Sequence, residues 1–152
     1  MFSWLMIETI EHYQRNGSDV YACVMDMTKA FDLVKHSKLF QVLLDKGIPP
    51  IFIRLLLVMY ERQEANVRWD GTLSNKFSIK NGVKQGAVLS PRLYCLYTDG
   101  LFELLRKCRS GCWMNGSYAG ILGYADDLVL LSPTIDGLQE MVTNCEDYAR
   151  QF

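Results

Sequence analysis

Gly120-Ile121-Leu122-Gly123-Tyr124-Ala125-Asp126-Asp127-Leu128-Val129-Leu130-Leu131-Ser132 carries more information than any other stretch of the chain. Two short apolar runs flank a pair of acids, the pattern of a tight antiparallel hairpin with Asp126 and Asp127 at its tip. Adjacent carboxylates repel one another unless a cation lies between them. A hairpin that sets them side by side at the rim of a buried sheet therefore reads as a holder of divalent metal. Two-metal catalysis of phosphoryl transfer needs oxygen ligands of this kind, with a third carboxylate arriving from elsewhere. A plain polar turn would also explain the pair taken alone, because Asp is common in turns.

Working outward, Tyr21-Ala22-Cys23-Val24-Met25-Asp26 is a second apolar, β-rich run that ends in an acid. A carboxylate at the end of such a strand is expensive unless something pairs with it. If this strand lies beside the hairpin, Asp26 faces Asp126 across a gap that one or two Mg²⁺ ions fill.

The segment Asp26-Met27-Thr28-Lys29-Ala30-Phe31-Asp32-Leu33-Val34-Lys35-His36 resembles motif A of reverse transcriptases, above all those of non-LTR retrotransposons. Asn81-Gly82-Val83-Lys84-Gln85-Gly86-Ala87-Val88-Leu89-Ser90-Pro91 is similar to their motif B, and Tyr124-Ala125-Asp126-Asp127 to their motif C. The motifs follow the family's order, and the resemblance runs from about Val20 to the C-terminus. It implies an α+β fold, a polymerase palm-like small antiparallel sheet backed by helices, with part of the fingers. It also implies an RNA-directed DNA polymerase that adds dNTPs to a primer 3′ hydroxyl with two Mg²⁺ ions (Mn²⁺ as a substitute), on an RNA template and a DNA primer.

Composition is compatible with this. At 152 residues, 49% hydrophobic and 22% charged, the chain suits one globular domain and excludes a disordered tail. No apolar stretch reaches the roughly 18 residues of a membrane helix, and no signal peptide is visible. Five scattered cysteines suit reduced thiols. Cys108 and Cys112 lack a second pair or a nearby histidine to complete a zinc site. A net charge of −1 argues against a self-sufficient nucleic-acid binder and suits a palm core apart from its basic fingers and thumb.

Helical spacing of Met6, Ile7, Ile10 and Tyr13 predicts a first helix stopped at Asn16-Gly17. Further helices are expected over 37–46, over 52–61 (apolar on most sides and hence well buried), from Ser90 as N-cap to about 106, and over 135–150. Residues 64–69 and 73–79 form an expected hairpin around Asp70-Gly71, with short strands at 113–114 and 119–124.

Carried over motif by motif, the resemblance makes Asp26, Asp126 and Asp127 the catalytic metal ligands, with Asp127 the more peripheral. Phe31, five residues beyond Asp26, takes the place of the aromatic gate that excludes a 2′ hydroxyl. Gln85 and Gly86 lie beside the incoming nucleotide, Lys29 and Lys84 near phosphate, and Tyr124 near the primer terminus. Asp32 has two readings, orienting the loop or capping the following helix, and capping is favoured. His12 and His36 are read as packing or surface residues. Ala87 departs from the pattern, since many relatives place an acid after the Gln-Gly pair.

The expected organisation is one partial reverse transcriptase domain over 1–152. It comprises an N-terminal helix in 1–19, a palm and fingers core over 20–132, and a C-terminal helix over 133–152 cut before motif D and the thumb. The competing reading is a catalytically inactive remnant that binds at most nucleic acid or a partner. Group II intron maturases are the runner-up family. Cytoplasm and nucleus are both open, as are oligomeric state and host.

Overall fold

The structure, a computed structural model, describes residues 2–27, 29–124 and 127–151. The chain opens with α1 (Phe2–Arg15), β1 (Tyr21–Asp26), α2 (His36–Asp45) and α3 (Pro50–Glu61). Four two-residue strands follow: β2 (Glu64–Ala65), β3 (Arg68–Trp69), β4 (Thr72–Leu73) and β5 (Phe77–Ser78). Then come α4 (Ser90–Cys108), β6 (Trp113–Met114), β7 (Ser117–Tyr118), β8 (Ile121–Tyr124), β9 (Asp127–Ser132) and α5 (Ile135–Gln151). Two compact units result, one of residues 1–28 with 98–152, the other of residues 29–97.

The first unit is built on an antiparallel sheet ordered β1-β9-β8. Its central strand β9 is buried from Leu128 to Ser132, which is why that stretch is apolar without alternation. Leu128 and Leu130 join Leu101, Leu105, Ile121, Met141 and Cys145 in a core formed with α4 and α5. Val129 and Leu131 turn to the other face and pack with Leu122, Cys112 and, from α1, Leu5, Met6 and Tyr13. The sheet is thus sandwiched between helices, the layered arrangement expected of an α+β fold. β1 is an edge strand, and Val24 on it remains 73% exposed.

The second unit buries apolar side chains of its own: Val34, Leu39, Phe40, Leu43, Ile53, Tyr60, Val83, Leu93, Tyr94 and Tyr97. Tyr60 meets the rings of His36 and Phe40 edge-on, with centroids 4.8 and 6.1 Å away. Three expectations need correction here. α3 buries only Ile53 and Tyr60, while Ile51, Phe52, Leu55, Val58 and Met59 are exposed, because one helical neighbour, α2, covers one stripe. Apolar composition on most sides marked many surfaces that ask for cover, not many that receive it. The 64–79 hairpin forms, but its pairing is interrupted, so strands expected to run continuously exist as β2–β5 and β3–β4 pieces. Finally, Asp32 does not cap α2; Lys35 holds the N-cap position, without a side-chain cap.

Candidate active site

The carboxylates come from the sheet. β1 and β9 pair in a register that places Asp26 directly opposite Asp127 at the end of both strands. Directly opposed residues of an antiparallel pair share a face, with Cβ atoms about 5 Å apart. Both acids are exposed. β8 and β9 pair antiparallel as expected from the sequence, and their last described pair is Tyr124 with Asp127. Ala125 and Asp126 lie outside the described residues, as does Thr28. Among the described residues, no third His, Cys, Asp or Glu joins Asp26 and Asp127. Two carboxylates held face to face, with no cationic side chain bridging them among the described ion pairs, supply the hard oxygen donors that Mg²⁺ and Mn²⁺ prefer. The donor set therefore fits a divalent metal.

The second unit carries the other motif residues. The turn after β1 bends through Lys29, which adopts a positive φ of 57°, and returns to an antiparallel bridge between Lys35 and Asn81. Around that bridge the two loops are laced together by main-chain bonds. The Gly82 N–H donates to Val34 O at 2.8 Å and the Val83 N–H to Phe31 O at 2.8 Å. Gly82 is required twice over. Its φ is +90°, and a Cβ there would stand 2.9 Å from Asp32 O and 3.2 Å from Phe31 O. His36 adds a further tie through Nε2, 2.7 Å from Gly82 O. A carbonyl only accepts, so Nε2 carries the proton. This gives the histidine a packing role, as read from the sequence.

Phe31 is half-buried and stacks on Tyr94, with centroids 4.8 Å apart and planes at 27°. Gln85 donates from Nε2 to Asp32 Oδ1 at 3.2 Å, which fixes the amide relative to the loop bearing Phe31. Gln85 and Lys84 line a cleft of about 790 Å³ together with Asp32, Gln63, Asn81 and Gly82. Gly86 also has a positive φ (+78°), but nothing lies within 4 Å of a Cβ built on it. Behind these loops, Tyr97 accepts the Lys35 N–H at 3.4 Å, and burial raises its phenol above the ordinary range. Burial likewise raises Tyr60, which is hydrogen-bonded to Ser90. Ser90 is thus the first, buried residue of α4, not an open cap.

The structure therefore brings Asp26 to Asp127, and Phe31 to Gln85 through Asp32. Lys29, Lys84 and Gly86 line the loops of the second unit as exposed residues. Three contributors were not singled out in the sequence: Gly82 as a site of close backbone contact, Asp32 as the partner of Gln85, and Tyr94 as the support of Phe31. The Asn81-Gly82 dipeptide hinted at the first. No local pattern announces the other two, since each joins residues more than fifty positions apart.

Comparison with known proteins matches residues 2–152 to the family described as reverse transcriptase (RNA-dependent DNA polymerase). The chain is 31% identical over 139 residues to a retrovirus-related Pol polyprotein from the type-2 retrotransposable element R2DM of Drosophila melanogaster. That match covers 91% of this chain and 13% of the relative. It is also 31% identical over 142 residues to a Pol polyprotein from a type-1 element R2 of Nasonia vitripennis, covering 93% of this chain and 14% of the relative. Thus the chain spans about an eighth of the length of these curated relatives. Among solved structures, an apo telomerase from Candida tropicalis truncated from its C-terminal domain superposes with a TM-score of 0.65 at 18% identity. The superposition covers 93% of this chain and 30% of that one, a likeness of fold that agrees with a palm-like α+β architecture. Matched to the family's description along nearly all its length and similar to non-LTR retrotransposon polyproteins, the chain belongs to the reverse transcriptase family.

Proposed function

We propose that this chain supplies the metal-holding and nucleotide-selecting core of an RNA-directed DNA polymerase, joining dNTPs to a primer 3′ hydroxyl on an RNA template. The observation that carries the reading is the register of β1 and β9, which stands Asp26 against Asp127 at an exposed strand end. Opposed like charges destabilise a strand pair, so their retention calls for a cationic ligand.

Asp26, Asp126 and Asp127 are the ligands, and Mg²⁺ is the ion, with Mn²⁺ able to replace it. When bound, the metal lowers the pKa of the primer hydroxyl and neutralises charge on the leaving phosphates. The remaining roles fall to the chain's own groups. Phe31, braced by Tyr94, presents a fixed ring edge that leaves no room for a 2′ hydroxyl. Gln85, held by Asp32, offers a positioned amide to sugar or base. Gly86, with open space where a side chain would stand, lets a nucleotide approach the main chain closely. Lys29 and Lys84 attract phosphate, and Tyr124 packs near the primer terminus.

Primer extension on a primed RNA template with Mg²⁺ or Mn²⁺ tests the reading. Asp26→Asn and Asp127→Asn should each lower extension by at least about a hundredfold, the scale of losing an electrostatic contributor to the transition state. Phe31→Ala should retain dNTP addition while admitting ribonucleotides. Extension that survives either Asp substitution would overturn the assignment.

A further inference from the structure

We propose that the hairpin of residues 64–79 is a contact for single-stranded nucleic acid, with Trp69 as the platform on which a base stacks. The hairpin is constructed for display. Asp70 and Gly71 both have positive φ (44° and 72°), the signature of a type I′ turn, and this sets Trp69 and Thr72 as the flanking pair. Behind the turn, the Ser74 N–H donates to Val67 O at 2.9 Å, and the Val67 N–H to Ser74 Oγ at 2.9 Å. The base is closed by the Glu64–Ser78 and Ala65–Phe77 pairs and by the Ile79 N–H bonded to Gln63 O. Yet every residue from 66 to 81 is exposed. Val67, Trp69, Leu73, Phe77 and Ile79 are thus all exposed on this one hairpin, and grouped exposed apolar side chains mark an interaction site where a lone one does not.

Trp69 is 80% exposed, more than any other described Trp or Phe. The stretch of sequence that carries it is basic, although Lys76 is paired with Glu64 at 3.3 Å. Between residues 62 and 84, Arg62, Arg68, Lys76, Lys80 and Lys84 outnumber Glu64 and Asp70, a local net charge of +3. The whole chain carries −1, so the rest of it carries −4. An exposed indole on a segment rich in lysine and arginine suits bases and phosphates. Protein-docking surfaces, in contrast, are poor in lysine. Every base has a stacking face, so RNA and DNA strands share the chemistry. This surface needs neither metal nor nucleotide, and its failure or success leaves the polymerase reading to its own test.

The experiment is fluorescence anisotropy of the full chain with labelled oligouridylate and oligothymidylate of about 15 nucleotides, the span of a typical single-strand site, in EDTA and low salt. Trp69→Ala should weaken binding about tenfold, Trp69→Phe should restore most of it, and Trp4→Ala, at an exposed position of α1, should change nothing. Arg68→Gln with Lys80→Gln should flatten the dependence of log K on log salt by about 1.4, or about 0.7 for each phosphate no longer neutralised. Tighter binding of one oligomer assigns the strand's sugar. Absence of binding at low salt, or equal binding by Trp69→Ala and wild type, would overturn the proposal and leave the hairpin as a protein-docking surface.

Discussion

The opposition of Asp26 and Asp127 leads to a test that separates folding from function. Without metal, Asp26→Asn removes a cross-strand repulsion and should stabilise the fold by about 0.5 kcal/mol. With millimolar Mn²⁺ the order should reverse: wild type gains stability by mass action, and Asp26→Asn gains little. Melting curves with and without metal measure both halves, and a mutant that is less stable in EDTA would sink the idea. Two glycines give a second contrast. At Gly82 an added Cβ meets backbone atoms that cannot move aside, and φ is +90°. Gly82→Ala should therefore cost about 3 kcal/mol or more, read from urea unfolding. At Gly86 only the conformational penalty applies, because the space is open, so Gly86→Ala should cost about 1 kcal/mol. The carboxylates were legible because acids at the ends of apolar strands are anomalous. Which acid stands opposite Asp26 was not, because register is a one-residue matter that neither strand's own pattern specifies.

Among the elements, α5 is secured at its start by Thr134, whose Oγ1 accepts the Gly137 N–H at 3.1 Å. Thr134→Ala should lower stability by about 1 kcal/mol through loss of that cap, measurable by denaturant midpoint. Beside it, the buried Ser132 hydroxyl donates to Ser110 O at 2.6 Å and accepts the Thr134 N–H at 3.3 Å. This ties the end of β9 to the loop before β6. Helix positions and the hairpin at Asp70-Gly71 were readable from periodicity and turn residues, which are local signals. Burial of α3 was not, because exposure depends on which neighbour arrives: the same apolar run reads alike whether one side is covered or all. Asp32 illustrates the same limit. A polar residue four positions before a helix looks like a cap, yet its better partner, Gln85, lies far along the chain.

At the scale of the whole molecule, the two units differ in how they are assembled and in what they bury. Residues 29–97 form one continuous segment with most of the exposed apolar side chains, whereas the sheet unit joins residues 1–28 to 98–152 and buries two thiols. Burial pushes Cys145 up to about 12, with Cys23 and Cys108 nearby adding to the rise. Burial also pushes Cys112 up to about 11, an effect that its hydrogen bond with Tyr13 partly offsets. Tyr118 moves upward as well, chiefly by burial, and its buried hydroxyl has no hydrogen-bond partner among the described residues. The sign of the consequence follows from linkage. A thiol with a raised folded pKa binds its proton more tightly in the native state, so between the unfolded value near 9 and the folded value the unfolded chain holds fewer protons. Stability contributed by the neutral thiols is complete below about pH 9 and declines as pH rises through the folded values. By about pH 11 the loss from Cys145 alone should be on the order of 2 kcal/mol, lowering the melting midpoint by roughly 5 °C in a chain of this size. Melting followed by circular dichroism from pH 7 to 11 checks this, with Cys145→Ala as the comparison. The variant starts less stable, because a buried side chain is truncated, but its alkaline decline should be shallower than that of wild type. Parallel declines in the two proteins would show that Cys145 stays protonated through unfolding and that other groups set the alkaline limit.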